Sequence, residues 1–157
     1  RERSGGASPD AGEIDVGQVA AAVVAESRCL VAGKPEYVYI LAQGSPRVSA
    51  PEVALAVVLR NLVRNAIAYT PSGTVRVRVD DGGVEVEDTG LGIPADRLPR
   101  VFDPLYRAHD EHAPGAGLGL SIVKRVCERY GWTVSAESGE GAGTRIRISF
   151  PARRPRR

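Results

Sequence analysis

The chain has 157 residues, 43% of them hydrophobic, and a net charge of +2. That is enough for one domain with a sizeable core, and a charge so near balance gives no electrostatic case for a nucleic-acid or membrane-surface partner. No apolar run approaches the about 20 residues that cross a bilayer and no leader pattern is present. With no Met and with Arg1 first, the sequence reads as a piece of a longer protein whose membrane anchor would lie elsewhere.

Residues 1–12 are small, polar and charged and are expected to be a disordered linker. From Ile14 to Val31 apolar and small residues recur at helical spacing and predict a first helix. Tyr37 to Leu41 is β-prone and predicts a strand. Ser49-Ala50-Pro51-Glu52 has the form of a helix start, with Ser49 as cap, Pro51 in the first turn and Glu52 three residues on. Leu55, Val58, Leu59, Leu62, Val63, Ala66 and Ile67 then make an apolar stripe, and Thr70-Pro71-Ser72-Gly73 ends the helix. Val75, Val77 and Val79 alternate with polar residues, as do Val84 and Val86 after Asp81-Gly82-Gly83, which predicts a hairpin with one buried face.

Residues 95–116 are polar and broken by Pro99, Pro104 and Pro114. Leu118, Ile122, Val123, Val126, Cys127 and Tyr130 mark the face of a last helix, closed by Gly131. Trp132 to Glu137 and Thr144 to Phe150 predict a second hairpin around the turn 139–143. Residues 152–157 form a basic, proline-broken tail, expected to be solvated and disordered. Residues 13–151 therefore read as one α+β domain, a two-layer α/β sandwich. A mixed, mostly antiparallel sheet carries helices on one face. Cys29 and Cys127 both fall in apolar helical patterns and are expected as buried free thiols.

Three groups of residues carry chemistry. Asn61, Asn65 and Tyr69 stand at i, i+4 and i+8, in a row along one helix side. Asn is a poor helix-interior residue; two in a row serve either to bridge nearby backbone or to offer amide oxygens, hard ligands suited to Mg²⁺ beside phosphate. Asp88 ends a strand, with Gly90 and Gly92 close behind. This is either an ordinary Asp-x-Gly turn or a carboxylate placed to accept from an exocyclic amine while glycine backbone approaches a planar ligand. Gly115, Gly117 and Gly119 open the last helix, whose N-terminal N–H groups suit phosphate. A Rossmann fingerprint would need a strand directly before these glycines, and a P-loop would need Gly-Lys-Ser/Thr. Neither is present. His109 and His112 have no further His or Cys nearby and read as loop polarity rather than a zinc site.

The order of these segments resembles the catalytic ATP-binding domain of bacterial sensor histidine kinases, within the wider family that includes gyrase-type ATPases. Asn61-Leu62-Val63-Arg64-Asn65-Ala66 is similar to that family's N box, and Asp88-Thr89-Gly90-Leu91-Gly92-Ile93-Pro94 to its first glycine box. Phe102-Asp103-Pro104-Leu105-Tyr106-Arg107 is similar to its F box, Gly115-Ala116-Gly117-Leu118-Gly119-Leu120 to its second glycine box, and Gly143-Thr144 to its final glycine motif. The likeness covers about residues 13–151.

The resemblance implies a Bergerat-type ATP-binding fold and a division of labour among these residues. Asn65, with Asn61, would hold Mg²⁺ against the phosphates of ATP, and Tyr69 would pack on the adenine. Asp88 would accept from the adenine amine, Gly90 and Gly92 would admit the purine, and Ile93 would line its pocket. Residues 103–116 would form a lid, Arg107 would contact phosphate, and Gly115, Gly117, Leu118, Gly119 and Leu120 would present the helix start to the phosphates. Thr144 would complete the nucleotide site.

The implied activity is protein-histidine kinase, with the γ-phosphate passing to a histidine on a separate dimerisation domain and on to a response regulator. No acceptor-histidine motif is present. The piece would then be a monomeric cytoplasmic domain of a membrane-anchored parent. Where many relatives have Lys or Arg, this chain has Ala68, the segment between Arg107 and Gly115 has no Lys or Arg, and Leu105 replaces an aromatic residue. Phosphate charge would rest on Mg²⁺, Arg107 and backbone amides, so weak ATP binding is expected. Two other readings stand beside this one: a nucleotide-sensing partner-binding module, and a gyrase-like hydrolase. Asn61 occupies the position of the hydrolase's general-base Glu, and an amide is a negligible base.

Overall fold

A computed structural model of the chain describes residues 13–31, 38–44, 46–104, 119–139 and 141–151. The expected linker, the tail and most of the expected lid lie outside the described residues. In chain order the elements are β1 (Glu13–Asp15), α1 (Val16–Ser27), a 3₁₀ turn (Arg28–Val31), β2 (Val38–Ala42), β3 (Arg47–Ser49) and α2 (Glu52–Ala68). They continue with β4 (Val75–Asp80), β5 (Gly83–Asp88), a 3₁₀ turn (Leu98–Arg100), α3 (Gly119–Tyr130), β6 (Thr133–Ser138) and β7 (Thr144–Ser149). Five strands form one sheet in the order β2-β4-β5-β7-β6, with β2–β4 parallel and the other pairs antiparallel. This is the mixed, mostly antiparallel sheet expected.

Hydrophobic alternation sets which face is covered. Val75, Val77, Val79, Val84, Val86, Ile146 and Ile148 are buried beneath α2, which lies over β4 and β5 and is flanked by α1 and α3. Leu55, Leu59 and Leu62 of α2 are almost wholly buried at the centre of the core, each stabilising the fold by about 2 kcal/mol through burial. Glu26 of α1 pairs with Arg60 of α2 at 2.8 Å. At the far end Trp132 is buried between Tyr130 and Phe150, with ring centroids 5.5 and 5.4 Å apart.

The opposite sheet face is closed by charge instead of helices. Arg76, Glu87, Arg145 and Glu137 stand in register across β4, β5, β7 and β6. Arg76 pairs with Glu87, and Arg145 reaches both Glu87 and Glu137 at 3.1 Å. Arg147 grips both oxygens of Asp80 at 2.9 Å, and this hydrogen-bonded guanidinium holds the Asp80 carboxyl below its ordinary range. Cross-strand pairing of opposite charges lets one face of the sheet remain in water.

Several expectations are corrected. Ile14 belongs to β1, which pairs with β3 in a separate two-stranded sheet, and α1 starts at Val16 with Asp15 as its cap, accepting from the Gln18 N–H at 3.2 Å. Ser49 does not cap α2. It is paired with Glu13 in the small sheet, and Pro51, extended at φ −63° and ψ 137°, takes the capping position without a side-chain bond. Cys29 is exposed, not buried; Cys127 is buried as expected. Ile122 lies off the buried face of α3, and Ser121 is buried instead.

Candidate nucleotide site

The C-terminal half of α2 brings Asn61 and Asn65 onto its half-buried side. The Asn61 Nδ2 donates to the Val57 carbonyl one turn back at 2.8 Å. That bond uses the donor end of the amide; Oδ1, the acceptor end, accepts no hydrogen bond from a described residue. A β-carbon on Gly119 would sit 3.1 Å from this oxygen, so the start of α3 packs directly on Asn61 and a larger residue would crowd it. Two segments far apart in sequence, one expected to bind metal and one phosphate, are therefore neighbours. The Asn65 side-chain amide has no hydrogen bond to any described residue. Tyr69 does not extend the helical row: it is the C-cap, with φ −95° and ψ 8°. Its N–H donates to the Asn65 carbonyl at 3.1 Å, and its own carbonyl accepts from Leu91 at 3.0 Å.

That last bond fastens the loop after β5 to the end of α2. Asp88 closes the loop's first turn by accepting the Gly90 N–H at 2.9 Å. A β-carbon on Gly90 would collide with the Tyr69 carbonyl oxygen, and Gly92, at φ +72°, packs against the Gly139 carbonyl. Only glycine permits that approach and that φ without strain. The loop is also tied to the β6–β7 turn, since the Gly141 N–H donates to the Leu91 carbonyl at 2.7 Å and the Ile93 N–H donates to Ser138 Oγ at 2.7 Å. Ile93 itself is buried.

Asp88 is 6% exposed. Burial pushes its pKa from an ordinary 3.8 up to about 6, against the backbone N–H groups of Gly90 and Thr144 and the Thr70 hydroxyl, which lower it; nearby Glu87 adds to the rise. At neutral pH the carboxylate is thus ionised at a cost that a hydrogen-bond donor from a ligand would reduce. Thr144 stands opposite Asp88 across β5–β7, and Ser138 stands opposite Thr144 across β7–β6. The three continue the helix-facing positions Val84-Val86, Ile148-Ile146 and Val134-Ala136. At this end of the sheet the apolar alternation turns polar. Sequence reasoning missed Ser138 and Thr70, although the polar residues ending three otherwise apolar rows were a usable signal. An open cavity of about 190 Å³ lies at this end of the sheet, bordered by Asp88, Ser138, Gly143 and Thr144 and also by Glu87, Glu137 and Arg145 of the charged face.

Gly119 and Leu120 open α3, and Leu120 is buried. Arg107, Gly115, Gly117 and Leu118 lie outside the described residues, as do His109 and His112. Phe102 of the F-box-like segment packs half-buried against the core.

Residues 50–154 match the family of histidine kinase-, DNA gyrase B- and HSP90-like ATPases. The chain belongs to that family. Among its relatives, the aerobic respiration control sensor protein ArcB of Escherichia coli is 40% identical over 106 residues, covering 60% of this chain and 14% of ArcB. Solved structures share the fold of this ATPase domain, among them the following two. The mycobacterial sensor histidine kinase MprB is 26% identical with a TM-score of 0.72, covering 87% of this chain and 93% of that one. Full-length ShkA, in complex with AMPPNP, is 27% identical with a TM-score of 0.73, covering 86% of this chain and 29% of that one. The chain thus has the architecture of a histidine-kinase ATP-binding catalytic domain, and it spans less than half the length of the curated relatives it matches. Among the described residues no helix is long and apolar enough to cross a membrane.

Proposed function

We propose that this domain binds Mg·ATP and donates the γ-phosphoryl group to a histidine on a dimerisation and phosphoacceptor domain elsewhere in the same protein. A response regulator then takes the phosphate onward. The parent protein is a membrane-anchored sensor and this domain lies on its cytoplasmic side. The observation that carries the reading is the pairing of a buried, unusually basic carboxylate, Asp88, with a glycine loop fastened to the Asn-bearing helix.

In this reading Asp88 and Thr144 accept from the adenine amine, Gly90 and Gly92 admit the ring, Tyr69 and Ile93 border it, and Leu120 backs the start of α3. The residues present fit a divalent ion. Asn65, with Asn61, would supply hard amide oxygens beside phosphate and water. Bound there, the ion would neutralise phosphate charge. Arg107, Gly115, Gly117, Leu118 and Gly119 would hold the phosphates. The chain's own contribution is positioning and preorganised charge: the acceptor imidazole nitrogen bonds to the γ-phosphorus as the bridging oxygen leaves with ADP. Asn61 offers no base for water, which favours transfer over hydrolysis.

Incubating the full-length protein with γ-labelled ATP tests this. Acid-labile, base-stable label on a histidine is the expected result. Release of free phosphate without labelled protein would instead support the hydrolase reading.

A further inference from the structure

The Ser138 hydroxyl lies within hydrogen-bond distance of three groups: the Ile93 N–H at 2.7 Å, the Gly143 carbonyl at 2.8 Å and the Thr144 hydroxyl at 2.9 Å. A serine hydroxyl has one proton and accepts two. Ile93 can only donate here. The Gly143 carbonyl has no proton of its own, so the Ser138 proton must lie on that contact. The remaining contact then needs its proton from Thr144. The three bonds saturate Ser138, and they also fix the Thr144 hydroxyl as a donor toward Ser138. Thr144 keeps only lone pairs for anything else.

We infer that Ser138 is a specificity-determining residue that sets base preference by fixing the direction of the Thr144 hydroxyl. The inference rests on the nucleotide reading of this site. With the Thr144 proton committed to Ser138, the row beside the glycine loop presents acceptors alone, the Asp88 carboxylate and the Thr144 lone pairs. An exocyclic amine on a six-membered purine ring is complementary to that arrangement. A carbonyl oxygen at the same ring position meets acceptor against acceptor. Ser138 touches no part of the base and acts through Thr144, while its bond to Ile93 holds the glycine loop in register with the turn 139–143.

The test is calorimetric titration of the chain with ATP and GTP, comparing wild type, Ser138→Ala, Thr144→Val and the double variant. Ser138→Ala frees the Thr144 hydroxyl to rotate and donate, so the preference for ATP over GTP should fall about fivefold to tenfold, one hydrogen bond's worth. Because the effect runs through Thr144, Ser138→Ala should produce no further fall in the Thr144→Val background. A purely structural role would lower affinity for both nucleotides alike and leave their ratio unchanged. An unchanged ratio in Ser138→Ala, or a full-sized fall in both backgrounds, overturns the inference. Should Ser138→Ala fail to fold, Thr144→Val alone must reduce the ratio by a similar factor, and an undiminished ratio there overturns it too. Wild-type protein that binds neither nucleotide overturns the nucleotide reading and this inference with it. A selective wild type whose ratio is unchanged in Ser138→Ala overturns the inference alone.

Discussion

Replacing Asp88 by Asn should make the nucleotide-free domain more stable while it weakens ATP binding. A carboxyl that titrates near 6 in the fold against 3.8 ordinarily is held as an anion at neutral pH at an expense of about 3 kcal/mol, at about 1.4 kcal/mol per pH unit. Asn removes that term. It keeps one oxygen for the Gly90 N–H but turns an NH₂ toward Thr70 or Thr144, costing about 1–2 kcal/mol. The net gain is about 1–2 kcal/mol at pH 7.5, or roughly 3–6 °C in Tm for a domain of this size. The sign with pH is definite. Asp88 is raised in the fold, so its contribution to stability is complete below the unfolded value of 3.8 and is lost as pH rises through about 6. The advantage of the Asn variant should therefore open between about pH 4 and 6. Thermal denaturation across that range, with ATP titration at pH 7.5, measures both halves. ATP affinity should fall about 10- to 100-fold with loss of a charged hydrogen bond. A variant less stable than wild type at pH 7.5, or one whose advantage is the same at pH 4, would refute the burial argument.

Asn65→Ala should remove the Mg²⁺-dependent part of ATP affinity and leave Tm within about 2 °C, because the amide makes no hydrogen bond to a described residue; a large Tm loss, or retained Mg²⁺ dependence, contradicts its role. Leu59→Ala, at the wholly buried centre of α2, should lower unfolding free energy by about 2–5 kcal/mol in chemical denaturation. Thiol labelling of the native chain should titrate one cysteine quickly, the exposed Cys29. Cys127, buried and pushed up to about 12 by desolvation, should react only on unfolding. Two fast thiols would contradict that burial.

Much of this fold is legible in the sequence because its two main signals are strong. The Val rows of β4 and β5 alternate cleanly, and the stripe from Leu55 to Ala66 keeps helical period for about three turns. What was not legible failed for local reasons. β1 and β3 are three residues each, too short to show alternation, and their pairing depends on contact across more than thirty residues. Ser49 had the chemistry of a cap, but Pro51 holds extended backbone and the ladder to Glu13 takes Ser49 out of reach. Cys29 follows a helix whose buried positions, 16, 19, 20, 23, 24 and 27, step by three and four; position 29 falls between those steps, and apolar surroundings alone did not reveal its phase. Of the candidate site, the segments Asp88–Ile93 and Asn61–Asn65 were legible as motifs, whereas the contact of Asn61 with Gly119 shows only in space. Ser138, the polar end of an otherwise apolar row, was passed over because the strand pairing that lines it up with Thr144 and Asp88 shows only in space.

The measurement closest to the central claim is calorimetric titration of this chain with ATP and with GTP, each with and without Mg²⁺. ATP binding in the micromolar to sub-millimolar range, strengthened by Mg²⁺ and preferred over GTP, is the predicted result. No binding, or equal binding of the two nucleotides regardless of Mg²⁺, would contradict the assignment of Asp88, Asn65 and the glycine loop to an ATP site.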